Sequence, residues 1–298
     1  MFSPVESAIA RIWESYGEPL SLSDIAKSAI LSRFHFCRVF RQATGVSPGR
    51  FLSAVRIYQA KRLLVSTSLS VTDISLAVGY NSLGSFTNRF TDSVGASPTR
   101  FRRMWGEGIH VDRDPAPAAQ APDPQSPCGI VTGVLDLPPE YASARVYLGA
   151  FETPIIQRRP MSWMILDTRS ASPDSYQLGN IPPGEWFIRA VAEADSADPE
   201  PWTRRSLLVG GQGSVTVTAS AVSKVDIALR PRCPTDLPIL FAVPDLERQE
   251  LLRADGPASA MASAPRQSAA VLTMAGSHAA LPRRADQALP QQARNRYR

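Results

Sequence analysis

The sequence predicts a multidomain protein of α and β class: an all-α domain of duplicated helical units, then an antiparallel β-sandwich, then a disordered tail. Three observations predict it. A pattern of about 50 residues occurs twice within residues 1–105, the apolar period changes from helical to two near residue 128, and a proline-rich stretch divides the two regimes.

The repeat can be read residue by residue. Ser47-Pro48-Gly49-Arg50-Phe51 returns as Ser97-Pro98-Thr99-Arg100-Phe101, and Gly45 returns as Gly95. Arg38-Val39-Phe40 is echoed by Asn88-Arg89-Phe90, and Ser23-Asp24-Ile25 by Thr72-Asp73-Ile74. The Asp pair lies 49 residues apart and the Phe and Gly pairs 50, so the second copy carries one extra residue. Ahead of the repeat, Ser3-Pro4-Val5-Glu6 combines a cap, a proline at the first helical position and a reciprocal glutamate. Ile9, Ile12, Trp13 and Tyr16 then form one apolar stripe. Ser21-Leu22-Ser23-Asp24 and Ser70-Val71-Thr72-Asp73 repeat the capping pattern, each opening a short helix that buries Ile25 or Ile74. Between the copies, Phe51, Leu52, Val55, Tyr58, Leu63 and Leu64 trace a helical face over about 18 residues, roughly 27 Å long.

A duplicated Arg-rich unit of this size suits two contacts with DNA, because one helix-turn-helix reads only a few base pairs. In the first unit a helix over Ser32 to Gln42 turns Phe36 and Phe40 inward, with Val39 beside them. Arg33, Phe34, Cys37 and Arg38 then lie on its outward and N-terminal faces. An arginine there bonds bidentately to guanine or clamps a phosphate, and Phe34 either meets a thymine methyl or completes the core. In the second unit Phe86 and Phe90 face inward, which leaves Leu83, Gly84, Ser85, Thr87 and Asn88 outward. Asn reads adenine, Ser and Thr suit phosphates or bases, and Gly permits close backbone approach. Arg89, beside Phe90, is a candidate structural ion-pair partner. Ser32, Arg50, Arg100, Arg102 and Arg103 are the expected phosphate contacts. Charge agrees with this division. Residues 1–105 hold 13 Lys/Arg against 6 Asp/Glu, whereas 106–246 hold 11 against 17. The cationic half suits phosphates and the acidic half does not.

Residues 106–127, with Pro115, Pro117, Pro122, Pro124 and Pro127, read as a semi-stiff linker. From 128 to 245, seven segments alternate as strands: 130–135, 144–148, 175–178, 186–191, 206–209, 214–218 and 225–229. Pro138-Pro139, Pro182-Pro183-Gly184 and Gly210-Gly211-Gln212-Gly213 read as the turns between them, and this spacing predicts the sandwich. Residues 246–254 suit a short helix, and the rest of 246–298 an Ala- and Arg-rich disordered tail.

Several classes find no support. Cys37, Cys128 and Cys233 have no metal spacing and are expected as free thiols of a reducing compartment. No apolar run of about 18 residues predicts a membrane span, and the N-terminal residues carry no leader pattern. His35, His110 and His278 join no catalytic set, and HExxH, GxSxG and P-loop motifs are missing. No enzyme, cofactor or metal is expected. Asp195, Asp198 and Glu200 lack calcium-loop spacing. Trp163, Trp186, Trp202, Tyr147 and Tyr176 either fill a core or line a pocket, with the core favoured. Arg158-Arg159 and Arg204-Arg205 read as solvated doublets.

The run from Ser32 to Arg103 resembles the AraC/XylS family DNA-binding domain. The resemblance rests on Gly45-Val46-Ser47-Pro48, Arg56, Ala60, Arg62-Leu63-Leu64, Ile74, Val78-Gly79-Tyr80, Phe86, Arg89-Phe90 and Gly95-Ala96-Ser97-Pro98. It implies two helix-turn-helix units on a long central helix, binding adjacent major grooves. It also implies base- or phosphate-facing roles for Phe34, Cys37 and Arg38, and for Leu83, Gly84, Ser85, Thr87 and Asn88. Cys37 and Gly84 depart from it, larger polar residues being common at those places. So does the order, since many members carry the sensor domain first. Tyr176-Gln177-Leu178-Gly179-Asn180-Ile181-Pro182-Pro183-Gly184, with 133–135 and 145–148, is similar to carboxypeptidase-regulatory-like, prealbumin-type sandwiches. Such a fold assigns no ligand by itself. Together the readings describe a cytoplasmic, sequence-specific transcriptional regulator that binds double-stranded DNA. Its sandwich senses a small-molecule effector, forms a homodimer or contacts RNA polymerase. Two rivals are a ligand- or protein-binding sandwich tethered to DNA, and a nonspecific architectural binder.

Overall fold

The computed structural model describes residues 3–106, 128–168, 175–196 and 205–242. The predicted linker beyond Gly106, the helix at 246–254 and the tail lie outside them. So do His110, Asp198, Glu200, Trp202, Arg204 and His278.

Seven helices occupy the first part. They are α1 (Pro4–Ser15), α2 (Leu22–Ser28), α3 (Arg33–Thr44), α4 (Pro48–Ser66), α5 (Val71–Ala77), α6 (Leu83–Val94) and α7 (Pro98–Gly106). Their starts are set by the caps in the sequence. Ser3 Oγ accepts from the Glu6 N–H at 3.2 Å, and the Glu6 carboxylate accepts from the Ser3 N–H at 2.8 Å. Ser21 and Asp24 form the same box ahead of α2, and Ser70 caps α5. α3 and α6 stop on Gly45 (φ 77°) and Gly95 (φ 86°), where the left-handed turn favours a residue without a Cβ.

The repeat is also a repeat in space. Phe36, Phe40 and Phe51 pack with ring centroids 5.3 and 5.5 Å apart. Phe86, Phe90 and Phe101, each 50 residues on, pack at 5.6 and 5.7 Å. All six rings are fully buried. α4, 19 residues and roughly 28 Å long, runs between the two units. Arg56 of α4 ties it to the end of α1, donating to the carbonyls of Tyr16 (2.8 Å) and Glu18 (2.9 Å). Gly79 (φ 84°) is fixed by that contact, since a Cβ there would meet Arg56 Nη2 at 2.8 Å and Tyr16 O at 2.9 Å.

The second part is rich in antiparallel strands, arranged in two sheets. The strands are β1 (Gly129–Asp136), β2 (Tyr141–Phe151), β3 (Ser162–Asp167), β4 (Ser175–Ile181), β5 (Gly184–Ser196), β6 (Arg205–Val217), β7 (Val222–Lys224), β8 (Ile227–Ala228) and β9 (Arg230–Pro231). One sheet has the order β4-β1-β7, with β8 also on β1; the other runs β3-β2-β5-β6-β9. Val131, Leu135, Tyr176, Leu178, Val146, Leu148, Ile188 and Leu208 form an apolar cluster that draws on both sheets. Pro182-Pro183 is the corner that carries the chain from one sheet to the other, and Trp186 Nε1 donates to Pro182 O across it at 2.8 Å.

Three expectations need correction. The sheets are not wholly antiparallel, because β7 and β8 run parallel to β1. The glycine run 210–213 is no turn; it lies inside the continuous strand β6, opposite a register shift between Phe187 and Arg189. Gly211 has φ 147°, and a Cβ on Gly210 would stand 2.6 Å from Ile227 Cγ2, so these glycines absorb a bulge and a close crossing. Strand β3 was not expected at all. The four described aromatics pack as core: Tyr147 stacks on Trp163 at 5.3 Å, Trp186 is buried, and Tyr176 OH donates to Val225 O. No disulfide joins Cys37, Cys128 and Cys233.

Candidate nucleic-acid interface

α3 and α6 each bury a phenylalanine pair and present the opposite face, because residues four apart share one side of a helix. Arg33, Phe34 and Arg38 are exposed on α3, and Leu83, Gly84, Ser85 and Asn88 on α6. Phe34 is 88% exposed, which settles that it does not complete the core. Cys37 and Thr87 are half-buried. Ser32 begins α3 with no cap bond from its side chain, whereas Ser82 at the equivalent place accepts from the Ser85 N–H at 3.2 Å and its hydroxyl donates to Ser85 Oγ. Arg38 lies 3.3 Å from His35 Nδ1, a contact that holds its guanidinium along the helix.

The expected phosphate contacts divide. Arg50, Arg100 and Arg103 are exposed. Arg102 is engaged within the fold. Its guanidinium donates to Leu64 O at 3.2 Å and Leu69 O at 2.6 Å, so it closes the end of α4. Arg89 donates to Ser53 Oγ at 3.2 Å, joining α6 to α4 through a hydroxyl.

At the rear of this domain Arg158, expected as part of a solvated doublet, is paired, and Lys61 and 237–242 carry no sign in the sequence. Lys61, in α4, is fully buried, and its Nζ donates to Ile239 O (3.2 Å) and Phe241 O (3.4 Å). Arg158 donates its backbone N–H to Ser93 O at 2.8 Å, and its guanidinium meets Asp92 at 2.9 Å and Glu152 at 3.4 Å. These carboxylates raise the Arg158 guanidinium further above its ordinary value. Ala242 N–H donates to Val94 O. Ile155 and Leu240, which follow strands in the sequence, are buried in the core of the helical domain. A cavity of about 450 Å³ adjoins this contact, lined among others by Thr44, Gly45, Phe187, Arg189, Gly211 and Arg230. Burial lowers the Arg189 guanidinium below its ordinary value. Among the described residues no group of three His, Cys, Asp or Glu converges as a metal site, and no helix is long and apolar enough to cross a membrane.

Residues 25–104 match the family described as a helix-turn-helix domain. This stretch is similar to AraC-type helix-turn-helix domains. The lactose operon transcription activator of Staphylococcus xylosus is 33% identical over 98 residues, 33% of this chain and 35% of that protein. The Msm operon regulatory protein of Streptococcus mutans is 35% identical over 92 residues, 31% and 33% of the two chains. The HTH-type transcriptional activator AarP of Providencia stuartii is 39% identical over 83 residues, 28% of this chain and 62% of AarP. The chain spans about a third of the length of the first two of these relatives. The crystal structure of the DNA-binding domain of AdpA in complex with a target DNA superposes with a TM-score of 0.35 and 29% identity, over 36% of this chain and 96% of that one.

Proposed function

We propose that the protein is a sequence-specific transcriptional regulator that docks α3 and α6 into successive major-groove segments of double-stranded DNA. The observation that carries this is the spatial repeat. Two matching phenylalanine triplets hold two helices whose outward N-terminal faces are exposed, with Arg33 and Arg38 on one and Ser85 and Asn88 on the other. The names of its relatives, operon regulators and transcription activators, support the reading.

Arg33 and Arg38 read guanine or clamp phosphate in this scheme, Phe34 covers a thymine methyl, and Cys37 packs beside it. On α6, Asn88 reads adenine, Ser85 and Thr87 bond bases or phosphates, and Leu83 and Gly84 allow close approach. Ser32, Arg50, Arg100 and Arg103 hold the backbone, while Arg102 acts through the end of α4. The strand-rich domain is read as a prealbumin-type sandwich. Its cavity beside Gly45 is the place for a small-molecule effector, and its free faces are for a second copy of the chain or RNA polymerase. The setting is cytoplasmic and the role non-catalytic.

Selection of sites from a random duplex library with the full chain, at about 150 mM salt where weak surface electrostatics are screened, tests this. Enrichment of two short elements about one helical turn apart is the expected result. Uniform recovery of all sequences would identify a nonspecific binder and sink the proposal.

A further inference from the structure

We infer that the strand-rich domain is a positioning element of DNA reading, gripping both helix-turn-helix units from behind and setting the spacing between α3 and α6. It does so through Lys61, Arg158 and the segment 237–242. The inference rests on the two-helix reading above.

Three points of grip lie on elements that differ in the repeat they serve. At the first unit, Pro154 covers Gly45, the glycine that ends α3, with Pro154 Cβ 3.7 Å from where a Cβ would stand. At the second, Phe241 covers Gly95, the glycine that ends α6, at 3.6 Å by the same measure. The two glycines are equivalents in the repeat, so one domain caps the same end of both recognition helices. Backbone bonds from Arg158 to Ser93 and from Ala242 to Val94 (3.2 Å) add to the second grip. Between them, Lys61 in α4 is held by the carbonyls of Ile239 and Phe241 and lies 5.7 Å from the Phe101 ring centroid. A buried ammonium is costly unless it is hydrogen-bonded, so this joint is lost only with a penalty.

The grip leaves the reading edges open, since Phe34 is 88% and Leu83 43% exposed at the other ends of those helices. Its consequence follows from DNA geometry. Moving one element by one base pair displaces it about 3.4 Å and turns it about 35° around the axis. A single connecting helix about 28 Å long, curving at a radius of about 60–100 Å, bends by roughly 16–27°, so α4 alone leaves part of that range open. A domain seated on both helix ends resists it. The residues of the joint are therefore specificity-determining without touching DNA.

The test uses the full chain and the selected two-element duplex, alongside duplexes with the elements one base pair closer, one farther and two farther. The same protein binds all four, so a general loss of folded protein lowers every affinity alike and leaves their ratio unchanged. Leu240→Asp places a charge where the 237–242 segment enters the helical core; Phe241→Ala uncovers Gly95 with less disturbance. Wild type should prefer its own spacing by about tenfold, the size of one mismatched pair, and both variants should narrow that to about threefold or less. If Leu240→Asp loses its helical ellipticity, Phe241→Ala alone decides. A variant that keeps the wild-type ratio, or loses the same factor on every duplex, overturns the inference. Failure of the wild type to enrich two elements overturns the two-helix reading instead, and this inference with it.

Discussion

Ile30 and Gly79 hold the same place in the turns of the two units, 49 residues apart. After α2, Ile30 N–H donates to Lys27 O and Leu31 N–H to Ala26 O; after α5, Gly79 N–H donates to Leu76 O and Tyr80 N–H to Ser75 O. Both residues have positive φ, 56° and 84°. A β-branched residue there is strained by about 1–2 kcal/mol, and Ile30 is 92% exposed, so burial returns nothing. Ile30→Gly is expected to raise stability by about 1 kcal/mol in urea unfolding, after the entropic cost of the new glycine. Gly79→Ala should lose about 2 kcal/mol or more, because strain and the Arg56 contact act together. A loss of stability in Ile30→Gly, or no loss in Gly79→Ala, would refute the correspondence. The sequence aligned Gly45 with Gly95 but left Ile30 unmarked, since isoleucine does not announce a left-handed turn. Arg38 is the other residue to change. If it reads guanine, Arg38→Ala should weaken the preferred site by about 1–3 kcal/mol and relax one base position; an equal loss on all sequences makes it a phosphate clamp.

At the scale of elements, the helices were legible because caps and period are local. Ser3, Ser21 and Ser70 begin helices where their side chains find a backbone N–H, and the apolar stripe behind each cap says which face is buried. Strands were less so. β3 has only half-buried or exposed positions, so its pattern is weak, and the glycines of β6 carry the composition of a turn inside a strand. The segment after β9 is set by an ion pair. Arg230 donates to Asp236 through two nitrogens, at 2.5 and 2.7 Å, and the Cys233 N–H donates to the same carboxylate at 2.7 Å. Burial pushes the Asp236 carboxyl up, but these bonds prevail and hold it below the usual carboxylate value of 3.8. A depressed carboxyl stabilises the fold fully above its unfolded value and loses that contribution as pH falls through the folded one. Stability should therefore be flat near neutrality and fall below about pH 4. Asp236→Asn should reduce that acid-side slope and cost about 1–3 kcal/mol at pH 7, as a lost charged hydrogen bond does. An unchanged acid limb in the variant would assign the slope to other carboxylates.

At the scale of the molecule, the charge division and the repeat made the duplicated helical half legible, while the joint between halves was not. Lys61 bonds to carbonyls 178 and 180 residues away, and a lysine on a helix gives no sign in sequence that it is buried. Leu240 and Ile155 follow strands yet complete the helical core, because long-range packing and not local period decides where they go. The described parts of both halves lie within one compact unit, Met1–Ser263. Removing the strand-rich half would leave the helical core without Ile155 and Leu240, and Lys61 without its Ile239 and Phe241 carbonyls. Truncating a buried leucine alone costs about 2–5 kcal/mol, a large share of the stability of an ordinary domain. The helical half should therefore not outlast its partner. Helical ellipticity and amide hydrogen exchange in β5 and β6, followed through one denaturant series, are expected to report a single shared midpoint. A helical transition that persists after the β5 and β6 amides have exchanged would mean that the helical half is self-sufficient, and that the contact at Lys61 is a docking site and not part of a common core.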